Sequence, residues 1–373
     1  MRVRDVSSFR PALPDKYDAT LRNGSDSFFG LPEWFDLVAR FGSDHSRQIG
    51  FALDQDAQLA LPLFRSLSNG TLSSCTNLYT CEYDVLGNHP EEREAIRALG
   101  KQITSNLRPP YIRLEGLDPA ATSFSALCSG FRDGGYLVKP YFAWGNWYDR
   151  THADGFESYL QRRPSILKNT WRRKLALLQN SKLSVVQILS PAEDVAPYVT
   201  AYQAVQKASW KSAEPYPDFI PNLIRLAAQK DALRMGILSV CGMPAAAQFW
   251  IVWNMKAIIF KLVHAKQFEK FSPGTLLTMH MAQHILESDR PEEIDFGRGD
   301  DAYKRLWAAS RRERWGIEAA SLRTPRGLAY AARLIAGRGR SVLKQGRSTE
   351  ALQVRSTGSE SRPRLAISSK SFN

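Results

Sequence analysis

The chain has 373 residues, 43% hydrophobic and 23% charged, and its 50 Lys/Arg against 37 Asp/Glu leave a net charge of +13. That composition belongs to a folded globular protein; it excludes a wholly disordered chain, a collagen and a coiled-coil rod, and the length favours two domains over one core. Four cysteines (Cys75, Cys81, Cys128, Cys241) without a CxxC pair argue against a disulfide framework or a thiolate metal site, and fit a reducing compartment.

The opening MRVRDVSSFRPALP lacks the apolar run of a secretory signal, so a cytoplasmic protein is expected. LPEWFDLVARF (Leu31–Phe41) has helical apolar spacing, with Pro32 suited to a first turn. RQIGFAL and AQLALPLFRSL read as a hairpin around Asp54–Asp56, and TNLYTCEYDVLG as a further strand. HPEEREAIRALGKQI is a helix with acids in its first turn, followed by PYIRLEGL as a strand, TSFSALCSGFRDGG as a helix and YLVKPYF as a strand. The second half repeats this order on a larger scale. FESYLQRRPSILKNTWRRKLALLQ is helical with a break at Pro164, and AEDVAPYVTAYQAVQKASWK and PDFIPNLIRLAAQK add helices. LRMGILSV, AAAQFWIVW and AIIFKLVHAK form a meander, then come GTLLTMHMAQHILES as a helix and EEIDFG and RWGIEAASLRT as strands. The longest nearly apolar run, Met243–Trp253, is broken by Gln248 and too short to span a bilayer. PRGLAYAARLIAG reads as a short basic surface helix, which leaves peripheral membrane contact by the basic C-terminal region open. From Arg338 to Asn373, eight Lys/Arg stand against two Glu with almost no periodicity, and a disordered tail is expected.

The stretch most suggestive of chemistry runs from Ala257 to Lys304. A strand ends in QFEKFSPGT, which opens directly into a helix. The unpaired N–H groups and partial positive charge of a helix start suit a phosphate. Ser272 and Thr275 add hydroxyls, Gly274 gives access to the backbone and Lys270 adds a charge. The plain alternative is an ordinary helix start with Ser272 as the cap. EEIDFGRGDDAYKRLW then puts Asp295 and two glycines at the carboxyl end of a strand, with Tyr303 and Lys304 returning to the same cleft. Asp295 or His264 could serve as a base, and Lys304 could contact a phosphate or carboxylate. Arg162, Arg163, Lys168, Arg172, Arg173 and Lys174, with no acid between them, form either a phosphate-receiving patch or a solvated helix face. Trp210 and Lys211 could wall an acceptor site. His280 and His284 have i, i+4 spacing, but no Glu follows His280 and no third ligand announces itself, so packing explains them better than a metal. No nucleic-acid motif is visible and DNA binding is not expected.

On RRKLALL (Arg172–Leu178), FSPGTLL (Phe271–Leu277) and DFGRGDDAYKRLW (Asp295–Trp307), residues 155–310 resemble the BioF2-like, CelD/BcsL-type acetyltransferase domain of the GNAT superfamily. The duplicated element order resembles the Fem-type peptidoglycan aminoacyltransferases. The resemblance implies an α/β (α+β) fold of two tandem GNAT-like domains, with mixed sheets flanked by helices. A degenerate domain would span 1–150, the acetyltransferase domain 151–330 and the basic tail 338–373, with the first domain shaping an acceptor cleft. It further implies an acyltransferase using acetyl-CoA or another acyl-CoA, without a metal. The diphosphate would sit at the Lys270–Thr275 loop, where Gly274 stands alone in place of the superfamily's paired glycines. Asp295, His264, Tyr303 and Lys304 become the candidates for catalysis, and Arg172, Arg173, Trp210 and Lys211 those for the substrate. The acceptor would be a small-molecule or nucleotide- or lipid-linked sugar from cell-envelope or exopolysaccharide synthesis. The alternatives are aminoacyl transfer from aminoacyl-tRNA, or a binding subunit that has lost the chemistry.

Overall fold

A strand buried on both faces must be apolar on both, and Ala245 to Ile251 are buried without exception. In the computed structural model, which describes residues 26–44, 46–54, 59–87, 93–151, 155–181, 184–190 and 193–336, this run is the middle of a central strand. The tail from 338 to 373 lies outside the described residues.

The first half contains α1 (Pro32–Phe41), β1 (Arg47–Leu53), β2 (Leu59–Ser66), β3 (Leu72–Ser74), β4 (Leu86–Gly87), α2 (Arg93–Gln102), β5 (Tyr111–Leu117), α3 (Thr122–Asp133) and β6 (Tyr136–Arg150). The second half contains α4 (Gly155–Gln161), α5 (Ser165–Ser181), β7 (Ser184–Ile188), α6 (Ala196–Lys207), α7 (Phe219–Gln229), β8 (Leu233–Val240), β9 (Met243–Trp253), β10 (Lys256–His264), α8 (Pro273–Ser288), β11 (Glu293–Arg298) and β12 (Ser310–Ser321). A last helix, α9, follows at 325–336. No described helix is long and apolar enough to cross a membrane. The strand expected in TNLYTCEYDVLG is displaced: β3 ends at Ser74, and Asn77 and Thr80 instead fold the chain into a turn. Asn77 Oδ1 accepts from the Tyr79 N–H at 2.9 Å and Thr80 Oγ1 from the Asn77 N–H at 3.0 Å, which takes these groups out of a sheet ladder. β7, not anticipated from the sequence, pairs with β8 at the sheet edge.

The strands form one mixed sheet in the order β1-β2-β3-β5-β12-β6-β11-β10-β9-β8-β7, with β4 beside β2. From β1 to β8 this order is a palindrome of connectivity. Each half supplies an antiparallel three-strand run, then a helix, then a strand parallel to the third: β3 to β5 through α2, and β10 to β11 through α8. The next long strand of each half lies beside the parallel strand of the other, β6 against β11 and β12 against β5. The β6–β12 ladder, twelve residue pairs from Ser310↔Tyr148 to Ser321↔Tyr136, is the seam. The fold is thus a tandem GNAT-like α/β arrangement whose halves have exchanged a strand.

Three cores fill the layers. α2 and α3 cover β2, β5 and β6 of the first half together with the exchanged β12, and α4, α5 and α8 cover β8 to β11 of the second. A third core is shared, with Trp34 and Phe35 of α1 packing with Phe219, Phe249 and Tyr202 across the halves. Charged seam residues are paired. Glu82 accepts from Lys256 at 2.6 Å and Arg314 at 2.9 Å; burial alone would raise its carboxyl, but these two cations hold it down at about 2.

Candidate active site

β10 and β11 pair only at Lys256–Ile258 with Glu293–Asp295. Beyond that they part: β10 bulges between Ile259 and Lys261, and β11 shifts register against β6 between Asp295 and Arg298. The gap opens into a cavity of about 680 Å³ bounded by β10, the start of α8, the segment 296–307, the first turns of α5 and residues 78–81 of the first half. Separated parallel strands expose backbone groups that a ladder would otherwise consume, which makes such a gap a natural ligand seat.

The start of α8 forms one wall. Pro273 occupies its first turn, and Ser272, Gly274 and Thr275 line the cavity. Ser272 does not cap the helix with its side chain. Its backbone is left-handed, φ +52°, a conformation that non-glycine residues adopt only where the surroundings impose it. A methyl group built on Gly274 would find His264 Nδ1 and Leu262 no closer than 3.5 Å, so the cavity reaches the helix backbone here. Lys270 lies elsewhere: its ammonium sits over the Phe271 ring at 5.0 Å, and its carbonyl accepts from Lys174.

His264, at the end of β10, lines the same wall. Its imidazole is held below the usual histidine value, first by burial and then by the Lys211 charge, with Glu269 opposing. The ring is therefore neutral at pH 7 and able to accept a proton. Lys211 donates to the Leu262 carbonyl at 2.7 Å, and its ammonium is pushed down by burial and by Lys261. Trp210, Tyr303, Ile166 and Leu78 ring the mouth, each between 45% and 66% exposed. Large apolar side chains that stay exposed around one opening mark a contact surface. Cys81 also lines the cavity, but burial and then the Asp295 charge raise its thiol to about 12, which keeps it protonated and a poor nucleophile.

Other sequence candidates are held in contacts with the protein itself or lie off the cavity. Asp295 is 1% exposed and turned into the seam: it accepts from Asn146 Nδ2 at 2.7 Å and from the Gly297 N–H at 2.6 Å, and pairs with Arg312. Lys304 does line the cavity, but its ammonium donates to the Arg298 and Gly299 carbonyls at 2.8 and 3.1 Å and pairs with Asp301 at 3.4 Å. Both residues thereby hold the Gly297–Gly299 turn in place. Arg172 and Arg173 are exposed on α5, whose Ile166, Leu167 and Thr170 face the cavity instead. His280 packs edge-on against Trp171, ring centres 4.9 Å apart.

Several cavity residues were not anticipated. Tyr79 comes from the first half; its hydroxyl donates to Glu214, and Lys261 pairs with Glu214 at 2.8 Å while lying 4.7 Å from the Tyr79 ring centre. No local pattern links positions so distant in sequence. Gln248 also lines the cavity, fully buried. Its signal was present, as the one polar break in the longest apolar run.

The arrangement has known counterparts. FemX aligns over 81% of this chain and 95% of its own at TM-score 0.54 and 9% identity. A domain assigned as the C-terminal part of a lysylphosphatidylglycerol synthetase from Agrobacterium fabrum aligns over 85% and 94% at TM-score 0.52 and 13% identity. L-PGS from Bacillus licheniformis aligns over 87% and 95% at TM-score 0.50 and 10% identity. These likenesses are of fold. No curated protein matches by sequence. The family model of the acetyltransferase (GNAT) domain matches residues 166–305, a span that holds α8, His264 and most of the cavity's second-half walls.

Proposed function

We propose that the chain transfers an acyl group from an acyl-CoA thioester to an amine or hydroxyl of a cell-envelope or exopolysaccharide precursor. The observation that carries this reading is the cavity between β10 and β11, where the open start of α8 and the neutral ring of His264 share one wall. The donor diphosphate would sit on the N–H groups at the start of α8, favoured by the helix field. The acceptor attacks the thioester carbonyl; the new C–N or C–O bond forms, the C–S bond breaks, and the acceptor's proton passes to His264 and on to the departing thiolate. With Cys81 protonated, direct transfer is favoured over a covalent thiol intermediate. Asp295 is then a positioning residue that fixes the 297–299 turn.

The setting in envelope synthesis rests on the family resemblance and on the apolar rim, which suits a lipid-linked acceptor. A second reading, aminoacyl transfer from aminoacyl-tRNA, is favoured by the exposed Arg172 and Arg173 on the helix that borders the mouth and by the fold shared with FemX. Calorimetric titration with acetyl-CoA and longer acyl-CoAs, run beside a free-thiol release assay, tests the first reading. Micromolar binding with acceptor-dependent thiol release is the expected result. A folded protein that binds no thioester overturns it and leaves the tRNA-dependent or binding-subunit readings.

A further inference from the structure

Gln248 sits in the middle of β9, opposite Gly236 of β8 and Leu262 of β10. Paired residues on adjacent strands share a face, so Gln248 lies beside Leu262 on the side covered by α8. It is fully buried, and neither its amide nitrogen nor its carbonyl oxygen has a hydrogen-bond partner. Among the described residues, other buried side chains leave single atoms unpaired, such as the indole N–H groups of Trp34 and Trp250, but those residues do not line the cavity. Gln248 does, and its whole carboxamide is unpaired. The cavity lining it belongs to includes the apolar Ile259, Leu262, Phe296 and Trp307. A buried donor and acceptor left unmade cost stability, which a sequence retains only where something else fills the gap.

Resting on the acyl-transfer reading above, we infer that Gln248 selects the group seated deepest in the cavity, and that this group is a polar acyl chain carrying a hydroxyl or amide. Such a chain offers both a donor and an acceptor, as the carboxamide requires. An alkyl chain of equal length would leave both Gln248 atoms unpaired in the complex. Sites built to hydrogen-bond a substrate group discriminate strongly against analogues that lack it.

Two measurements on the full chain test this. Gln248→Met keeps the unbranched shape and removes the amide. Because the wild-type amide has no partner in the free protein, the variant should melt about 1 to 2 °C higher, the shift that roughly 1 kcal/mol produces in a chain of this size. In calorimetric titrations, the wild type should bind 3-hydroxybutyryl-CoA at least about ten-fold more tightly than butyryl-CoA, and Gln248→Met should lose or reverse that preference. Equal binding of both thioesters by the wild type overturns the inference while the acyl-CoA reading stands. If neither thioester binds, the acyl-CoA reading fails and the melting comparison decides. A higher melting temperature in Gln248→Met still marks an amide kept for a ligand, and a lower one shows that a trapped water already satisfies it and overturns the inference.

Discussion

In the first half, α2 and α3 cross at two glycines: a methyl group on Gly130 would stand 2.2 Å from the Arg97 carbonyl oxygen, and one on Gly100 3.4 Å from Gly130 Cα. At the start of α8 in the second half, a methyl group on Gly274 would meet its nearest neighbours, His264 and Leu262, only at 3.5 Å. Both helices that cross between parallel strands, α2 and α8, thus rest on glycine, but the small residue closes a helix pair in one half and opens a cavity in the other. The cores agree. Ile96, Leu99, Ile103, Leu127 and Phe131 fill the first half's helical layer, whereas the second half keeps an unpaired Gln248 under α8. One connectivity therefore serves as a packed support in one half and as the walls of a site in the other. The support also reaches across, since Leu78, Tyr79 and Cys81 complete the second half's cavity.

The largest expected effects come from setting these glycines against each other. Gly130→Ala forces a methyl group into backbone that cannot yield, at a cost of about 3 kcal/mol or more, so melting should fall by about 4 °C or more. In Gly274→Asp the added Cβ makes only ordinary contacts with His264 and Leu262, at 3.5 Å and beyond, and a carboxylate in the first turn is worth about 0.3–1 kcal/mol to the helix, so melting should change little. Its donor binding should nonetheless fall at least about a hundred-fold, because negative charge then stands where the diphosphate must approach. Equal loss of stability in the two variants would break the contrast between a packed and an open half.

A finer contrast separates two residues the sequence offered for one role. Asp295→Asn removes a buried charge from Arg312 and should cost about 2–3 kcal/mol, seen as a lower melting temperature, with the pH dependence of turnover keeping its shape. His264→Gln should melt like the wild type, bind the donor, and lose about 10²–10⁴ in turnover. A reshaped pH profile in the Asp295 variant, with full activity in the His264 variant, would return the base to Asp295.

Much of the fold was legible because its signals are local. Pro32 and Pro273 mark helix starts, Pro164 separates α4 from α5, and the nearly apolar run Met243–Trp253 announces a central strand. β3 was misplaced because the hydrogen bonds of Asn77 and Thr80 override the β-propensity of the residues between and beyond them. The strand exchange of β6 and β12 left no trace in either half, since each strand's pattern fixes its burial and not its neighbour. His264, Gly274 and Lys211, which line the cavity, stand out in the sequence by position at a strand end, a helix start and a polar cluster. Asp295 and Lys304 could be named from the sequence but not given partners, because carboxylates and ammoniums at a strand's carboxyl end serve a ligand or a turn equally well, and their bonds to Asn146, Arg312 and the Arg298 and Gly299 carbonyls exist only in three dimensions. The Tyr79–Glu214–Lys261 cluster joins both halves and could be found only in three dimensions.

The smallest effect probes the electrostatics within the active half. His264 is held below its ordinary value of 6.5 by burial first and by the Lys211 charge second. Its neutral form is the one that accepts a proton, so turnover should stay level through neutral pH and fall only as pH drops through the depressed value. The same sign governs stability: between that value and 6.5 the unfolded chain binds the proton that the folded one refuses, so stability declines as pH falls below 6.5. Lys211→Met keeps the length of the side chain and removes its charge, which should move the acid limb of turnover to higher pH and flatten the stability decline. Because burial remains, the change should amount to about five-fold in rate at most on the acid side, the scale of one partly screened charge. An acid limb that stays in place, measured by stopped-time thiol release from pH 5 to 8, would separate His264 from the proton transfer and leave the neutral wall of the cavity as a binding surface alone.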